Sequence, residues 1–183
     1  MNNELQFGIQ TNGIKHTHLD PMPDIDHRFS MVKEAKVFDY VDKTPEQDEI
    51  ISFLKAKDKY QIPIKAGGWF YTVGEHKNLL KKNLLTAQNL GSTVHNTQIQ
   101  AINSDGNLVT NSEVRDVYLE AYDMGLKLGV TPCFEVHVNM WSEDFLRVTE
   151  VGNLVEEKGV EFNITLDHSH VIFKINNPKE QKI

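Results

Sequence analysis

Short apolar stretches alternate along the chain with longer segments in which apolar residues recur every three or four positions. The first pattern predicts β-strands and the second predicts amphipathic helices. The predicted strands cover residues 7–12, 37–41, 62–65, 93–101, 132–138 and 161–167. The predicted helices begin near residues 29, 45, 75, 112 and 143. The chain is therefore predicted to fold as an alternation of strands and helices.

Residues typical of helix ends support several of these boundaries. Thr44 is a candidate N-cap, and Gln47 stands three residues later, where a capping box places Glu or Gln. Ser142 is the candidate cap of the last predicted helix. Gly91 and Gly129 follow two of the helical segments, in the position that a C-cap glycine takes.

Strands that alternate with helices of this length are joined by right-handed crossovers into a parallel sheet. Two architectures fit: an open doubly wound sheet and a closed (β/α)8 barrel. The first strand is not followed by the glycine-rich turn of a dinucleotide-binding sheet, because the segment Gln10–Gly13 reads QTNG. The 183 residues form one predicted domain, residues 1–183, whereas a full barrel usually needs about 250 residues.

Composition narrows the range of partners. The net charge is −7 and the pI is about 5.6, which argues against binding to a nucleic-acid backbone. No apolar run approaches the roughly 20 residues that span a membrane, and the N-terminus has no signal-peptide pattern. One cysteine, Cys133, allows no internal disulfide. A cytoplasmic protein that acts on a small molecule is the expectation.

Two neighbouring predicted strands each bring a carboxylate to the same face. Because side chains alternate along a strand, one face of residues 132–138 carries Cys133, Glu135 and His137. The corresponding face of residues 161–167 carries Asn163, Thr165 and Asp167. Two converging carboxylates repel each other unless a proton or a cation lies between them. The pattern therefore predicts an oxygen-rich site for a divalent ion such as manganese or magnesium.

Each of these residues also has a plain structural interpretation. A Glu or His on a strand is more often solvated or ion-paired than bound to a metal, and Cys133 reads as a small core residue. The segment Gly67–Trp69 can be a turn with a core indole. His168 can be an ordinary loop residue, as can the pair His16 and His18 in the first loop.

Two motifs nevertheless resemble a known family. Phe134-Glu-Val-His137 and Asn163-Ile-Thr-Leu-Asp-His-Ser-His170 are similar to the ends of the fifth and sixth strands in the xylose isomerase-like barrel superfamily. That superfamily contains sugar isomerases, ketose epimerases and abasic-site endonucleases. The resemblance implies a TIM-barrel-like fold of which this chain holds the first six strand–helix units, truncated after about the sixth strand.

The resemblance also implies residue roles and a reaction. Glu135 and Asp167 would be metal ligands, and Glu135 would also move a proton. His170 would act in catalysis and bind a substrate hydroxyl or carbonyl, with His137 and Trp69 as further substrate contacts. The implied function is a metal-dependent sugar isomerase or epimerase of carbohydrate metabolism that works through an enediolate, with manganese or magnesium as cofactor.

One departure from the family pattern leaves alternatives open. The family's remaining His and Glu ligands come from a seventh and an eighth strand, which this sequence does not supply. The chain could be a truncated product, could be completed by a second copy that covers its exposed strand edges, or could be a non-catalytic sugar- or partner-binding fragment. An endonuclease is less favoured, because the net charge is −7.

Glu135→Ala and Asp167→Ala are each expected to weaken manganese binding at least about tenfold, because each removes an anionic ligand. Calorimetric titration of the purified variants measures this. Unchanged manganese affinity in both variants would contradict the predicted site.

Overall fold

The computed structural model describes residues 5–11, 23–65 and 67–175, and the side chains of all of these except 172–175. His16 and His18 lie outside the described residues.

The described residues form seven β-strands and six α-helices, against six strands and five helices predicted, and they alternate except that the strands at 64–65 and 68–71 are consecutive. The strands are β1 (Gly8–Gln10), β2 (Tyr40–Asp42), β3 (Ile64–Lys65), β4 (Gly68–Tyr71), β5 (Val94–Ile99), β6 (Thr131–Val136) and β7 (Ile164–Leu166). The helices are α1 (Ile25–Ala35), α2 (Ile50–Tyr60), α3 (His76–Leu90), α4 (Asn111–Leu128), α5 (Phe145–Glu156) and α6 (His168–Ile175). A single 3-10 turn, Trp141–Glu143, precedes α5.

All strand pairs are parallel, and neighbours in space are neighbours in sequence. One sheet has the order β1-β2-β3 and the other has the order β4-β5-β6-β7. Sequential parallel order with a helix after nearly every strand is the arrangement of a (β/α)8 barrel. The predicted parallel α/β fold is therefore confirmed. The strands within the described residues do not close into a complete barrel.

The two sheets meet at a glycine just after the predicted third strand, residues 62–65. Gly67 has φ +93°, and a Cβ there would come within 2.5 Å of the carbonyl carbon of Lys43. Its carbonyl accepts a hydrogen bond from the Asn96 amide at 2.7 Å. Only glycine tolerates both this conformation and this close approach. The chain here is consequently divided into two strands. β3 pairs with β2 in one sheet, and β4 pairs with β5 in the other.

Apolar side chains fill the space between the sheets and the helices. The larger cluster joins β4, β5 and β6 to α3, α4 and α5, and the smaller one joins β2 and β3 to α1 and α2. Phe134 and Val136 are buried, as the alternation along residues 132–138 predicts. Tyr118 of α4 packs edge-to-face on Phe134 at 5.0 Å and donates its hydroxyl hydrogen to the Glu161 carbonyl at 2.7 Å. These contacts tie α4 to β6 and to the chain before β7.

Some predicted helix ends are confirmed and others are wrong. Gly91 and Gly129 are left-handed C-caps, as predicted. Thr44 does not cap α2, which begins six residues later at Ile50, and Gln47 instead donates a hydrogen bond to Thr86 at 3.2 Å. The capping-box pattern failed because the chain first makes a turn at 47–49 that packs toward α3.

The start of α5 and the existence of α6 also differ from the prediction. Asp144, rather than Ser142, caps α5 by accepting a hydrogen bond from the Leu146 amide at 2.9 Å. Ser142 is buried in the 3-10 turn and donates to the Glu135 carbonyl at 2.7 Å. Helix α6 was not predicted, because its eight residues are too few to show a clear helical period.

A polar network crosses the core between β4, β5 and α3. Tyr71 Oη accepts a hydrogen bond from Asn83 Nδ2 at 2.9 Å and lies 2.7 Å from His95 Nε2, to which it donates. His95 is fully buried. Burial favours the neutral imidazole and lowers the pKa of His95 to about 4.

His95 is expected to make the protein less stable in acid. An unfolded histidine takes up a proton below about pH 6.5, whereas folded His95 stays neutral until about pH 4, so the unfolded state binds more protons in that range. The free energy of unfolding should fall by about 3 kcal/mol from this group between pH 7 and pH 4. Urea unfolding at several pH values measures the loss.

His95→Gln is the informative variant, because its side-chain oxygen can still accept the Tyr71 hydrogen bond but does not titrate. Its unfolding free energy should fall less steeply between pH 7 and pH 4 than that of the wild-type chain. Equal slopes would contradict the assignment of a neutral, buried His95.

Candidate metal and substrate site

A polar cavity of about 290 Å³ lies at the carboxyl ends of the strands. Side chains from β1, β2, β4, β5 and β6 line it, together with residues just after β2, β6 and β7. Glu135, His137, Asp167 and His170 are all among the lining residues. The carboxyl ends of parallel strands are where barrel enzymes place their reactive groups. The structure therefore brings together the residues that the two motifs singled out.

Glu135 is held in place by two amide side chains of the neighbouring strand. Its Oε2 accepts hydrogen bonds from Asn96 Nδ2, at 3.2 Å, and from Gln98 Nε2. Asn96 is in turn fixed by a hydrogen bond from the Thr165 hydroxyl to its Oδ1. Both donors reach the same carboxylate oxygen, and among the described residues Oε1 has no hydrogen-bond donor. Oε1 is therefore left for a cation or a substrate.

Burial, a hydrogen bond and nearby charges all shift the pKa of Glu135. Burial raises the pKa of its carboxyl group, while the Gln98 hydrogen bond and the nearby His137 lower it. The charges of Asp167 and Asp42 raise the pKa of Glu135 further, and the net direction is upward. Three carboxylates thus share one small cavity and repel one another, which a bound cation would relieve.

His137 and His170 complete a compact group with Glu135. One ligand atom of each of the three residues lies within 4.8 Å of the others. The two imidazole rings lie with their centroids 3.7 Å apart. His137 Nδ1 lies 2.6 Å from the Val138 carbonyl, which can only accept, so in the neutral ring Nδ1 carries the hydrogen and Nε2 has the lone pair. A backbone carbonyl that fixes the tautomer in this way is usual for histidines that bind metals.

Asp167 has a different place in the structure from the one the motif implies. Its Oδ1 accepts hydrogen bonds from the Ser169 amide at 2.8 Å and the Ser169 hydroxyl at 2.6 Å, so it caps the start of α6. Its Oδ2 lies 3.4 Å from His170 Nε2. Burial raises the pKa of Asp167, but the Ser169 hydrogen bonds and the charge of His170 outweigh it, and the pKa is lowered overall. Asp167 lines the cavity but lies outside the three-residue group, and it orients His170.

The chemistry of the donors fits a divalent transition metal. One carboxylate oxygen and two imidazole nitrogens suit zinc, manganese and similar ions better than magnesium, which prefers oxygen ligands alone. Three protein donors with open positions is also the ligand number of catalytic zinc sites. Within the described residues, no other cluster of three His, Cys, Asp or Glu side chains could hold an ion.

The predicted substrate contact Trp69 does not line the cavity. It is half-buried and packs against the apolar core on the helix side of the sheet. Its neighbour Phe70 points to the other face, lines the cavity and meets His137 edge-to-face at 6.1 Å. The break of the strand at Gly67 sets this alternation, so the sequence pattern alone could not tell which aromatic ring faces inward.

The sequence prediction did not place six of the polar residues that line the cavity: Gln10, Asp42, Lys43, Thr44, Asn96 and Gln98. Asp42 ends β2, while Asn96 and Gln98 stand on alternate positions of β5. Burial raises the pKa of Asp42, while contacts from the Gly67 amide and the Gln10 side chain lower it, with an upward net effect. The sequence of β5 could have indicated Asn96 and Gln98. With His95, they give this strand polar residues on both faces, so one polar face had to lie outside the apolar core.

The other singled-out residues have ordinary surroundings. His168 is exposed in the first turn of α6. Cys133 is half-buried, and burial raises the pKa of its thiol, which keeps it protonated.

Comparisons with known proteins support the fold. No protein-family model and no curated protein sequence matches the chain. Among solved structures, a D-allulose 3-epimerase from Methylomonas sp., solved with D-allulose, matches with a TM-score of 0.69 and 12% identity, over 91% of this chain and 63% of that one. The IOLI protein, solved with a zinc atom, matches with a TM-score of 0.61 and 14% identity, over 83% and 59%.

An AP endonuclease of family 2 from Brucella melitensis also shares the fold, with a TM-score of 0.63 and 10% identity, over 89% of this chain and 68% of that one. At 10–14% identity these structures confirm the predicted TIM-barrel-like fold and no more than the fold. The chain spans less than two thirds of the length of the epimerase and of the zinc-bound protein. Neighbours this distant include more than one reaction, so the reaction has to be argued from the site.

None of the described helices is both long enough and apolar enough to span a membrane.

Gln98→Leu is expected to weaken manganese binding by about tenfold, because Glu135 loses a donor that aims its carboxylate at the cavity. Calorimetry with manganese measures this. Gln47→Leu, which changes an exposed glutamine outside the cavity, is the matched control and should leave the affinity unchanged. Equal affinities for manganese in the wild-type chain and Gln98→Leu would show that Gln98 does not position Glu135.

Proposed function

We propose that this cavity binds a divalent cation and a small sugar or sugar-like hydroxycarbonyl compound, and that Glu135 moves a proton that interconverts isomers or epimers. The observation that carries the proposal is the group formed by Glu135, His137 and His170 at the carboxyl ends of the strands, with Glu135 fixed by two amides. It combines a cation site with a positioned base.

The size and lining of the cavity support a small polar substrate. About 290 Å³ is the space of roughly ten water molecules, which suits a compound of about that many heavy atoms. Carboxylates, amides and imidazoles line most of it, and they can hydrogen-bond to several hydroxyl groups. The similarly folded epimerase was solved with the sugar D-allulose, which supports a sugar here as well.

Each residue near the cation has a distinct part in the proposed reaction. A bound divalent ion would polarise the carbonyl and hydroxyl oxygens of the substrate. Glu135 takes a proton from the carbon beside the carbonyl and returns it to the neighbouring carbon, while the hydroxyl proton passes to the former carbonyl oxygen. Epimerisation at one carbon additionally needs an acid on the opposite face of the enediolate. His170 would hold the cation through one ring nitrogen, and Asp167, whose Oδ2 lies 3.4 Å from His170 Nε2, holds its ring in position.

Manganese and zinc are the cations that this donor set favours. The sequence motif alone favours manganese or magnesium, because it places two carboxylates at the site. The two imidazoles shift the preference toward transition metals. The zinc atom in the similarly folded IOLI protein is consistent with this choice.

The hypothesis that the chain is an endonuclease has less support than the isomerase or epimerase proposal. A nuclease of this kind must bind a DNA backbone, and a chain with a net charge of −7 lacks the basic character that such binding needs. Completion of the site by a second copy of the chain, and the family's further ligands, remain predictions.

The direct test is exchange of substrate protons with solvent deuterium. The manganese-loaded chain is incubated with D-allulose or D-fructose in D2O, and proton NMR follows the signals beside the carbonyl carbon. The wild-type chain should incorporate deuterium, and Glu135→Gln should lower the rate at least about a hundredfold, because the base is lost.

Glu156→Gln, an exposed position in α5, is the matched control and should exchange at the wild-type rate. Manganese binding without exchange on any ketose or keto acid would favour a non-catalytic binding domain over the proposed enzyme.

A further inference from the structure

We infer that Asp42 is a specificity residue that accepts a hydrogen bond from a substrate hydroxyl and makes the cavity select uncharged sugars over phosphorylated ones. This inference rests on the proposed function. It assigns a role to a carboxylate that neither motif includes and that lies outside the group formed by Glu135, His137 and His170.

Asp42 reaches the cavity from a different strand than the proposed metal ligands. It is the last residue of β2, which pairs with β1 and β3, whereas Glu135 belongs to β6 in the other sheet. The negative charge of Asp42 nevertheless raises the pKa of Glu135. Asp42 therefore lies on another wall of the same small space, where it can meet the substrate from a different strand than the proposed metal ligands.

The contacts of Asp42 hold it in place without using all its acceptor capacity. The Gly67 amide and the Gln10 side chain contact the carboxylate. A carboxylate has about four lone-pair sites, so two contacts leave room for further donors. Because Asp42 is half-buried, those sites need a donor from the cavity whenever a ligand displaces water from it.

The charge balance of the cavity favours a neutral ligand. Asp42, Glu135 and Asp167 contribute three negative charges, and Lys43 is the one lysine or arginine among the described residues that line the cavity. With the histidines neutral, the formal charge is −2, and a divalent cation brings it to zero. A phosphate dianion would then add two charges with no partner left to balance them.

The hydrogen-bonding capacity of the cavity carboxylates also favours an uncharged sugar. The three carboxylates can only accept hydrogen bonds, so they need donors. The hydroxyl groups of a sugar supply donors, whereas a phosphate dianion offers acceptors only. A phosphate placed against Asp42 would leave both groups without partners and in repulsion.

The test compares binding of D-fructose and D-fructose 6-phosphate to the manganese-loaded chain by NMR titration. The wild-type chain should bind D-fructose at least about tenfold more tightly than its phosphate ester. Asp42→Asn keeps the shape of the side chain but removes its charge, so the two ligands should then bind within about threefold of each other. Equal binding of both ligands by the wild-type chain, or no binding of D-fructose, would overturn the inference.

Asp105→Asn is the matched control, because it makes the same change of net charge at an exposed turn outside the cavity. It should keep the wild-type preference, and a preference unchanged in Asp42→Asn would also overturn the inference. Manganese affinity is measured for each variant, and the sugar titrations are repeated with a chelator present. Loss of metal binding with an intact Asp42-dependent preference would count against the proposed function and leave this inference standing.

Discussion

The site depends on the hydrogen bonds that Asn96 and Gln98 donate to the buried carboxylate of Glu135. A buried carboxylate without donors is costly, and it becomes tolerable here because the neighbouring strand supplies two amides. The register that pairs Asn96 with Cys133 places both amides beside Glu135. Parallel strand pairing, rather than any loop, therefore sets the geometry of the reactive group.

The same strands join the site to the core. β5 turns Asn96 and Gln98 toward the cavity and His95 toward α3, where Tyr71 and Asn83 complete a buried network. On β6, Glu135 faces the cavity while its carbonyl accepts the hydrogen bond of Ser142 from the following turn. The proposed chemistry depends on these side chains, and rigid strands and helices hold them in place, as a precise site requires.

Alternation of strands and helices, and of side chains within strands, was predictable from the sequence because both follow from local periodicity. That reasoning placed Phe134 in the core and Glu135 in the cavity. It failed where tertiary contacts decide: Gln47 packs toward α3 instead of capping α2, and the break at Gly67 puts Phe70 in the cavity in place of Trp69. The helix-capping role of Asp167 was hidden because α6 is too short to show a period.

The central claim is that Glu135, His137 and His170 bind one divalent cation between them. Anomalous diffraction from crystals of the chain soaked in manganese or zinc tests it directly. The account predicts one strong anomalous peak about 2.0–2.3 Å from a Glu135 oxygen and from a nitrogen of each histidine. A peak held by other residues, or no peak in this cavity at a concentration that saturates the chain in solution, would contradict it.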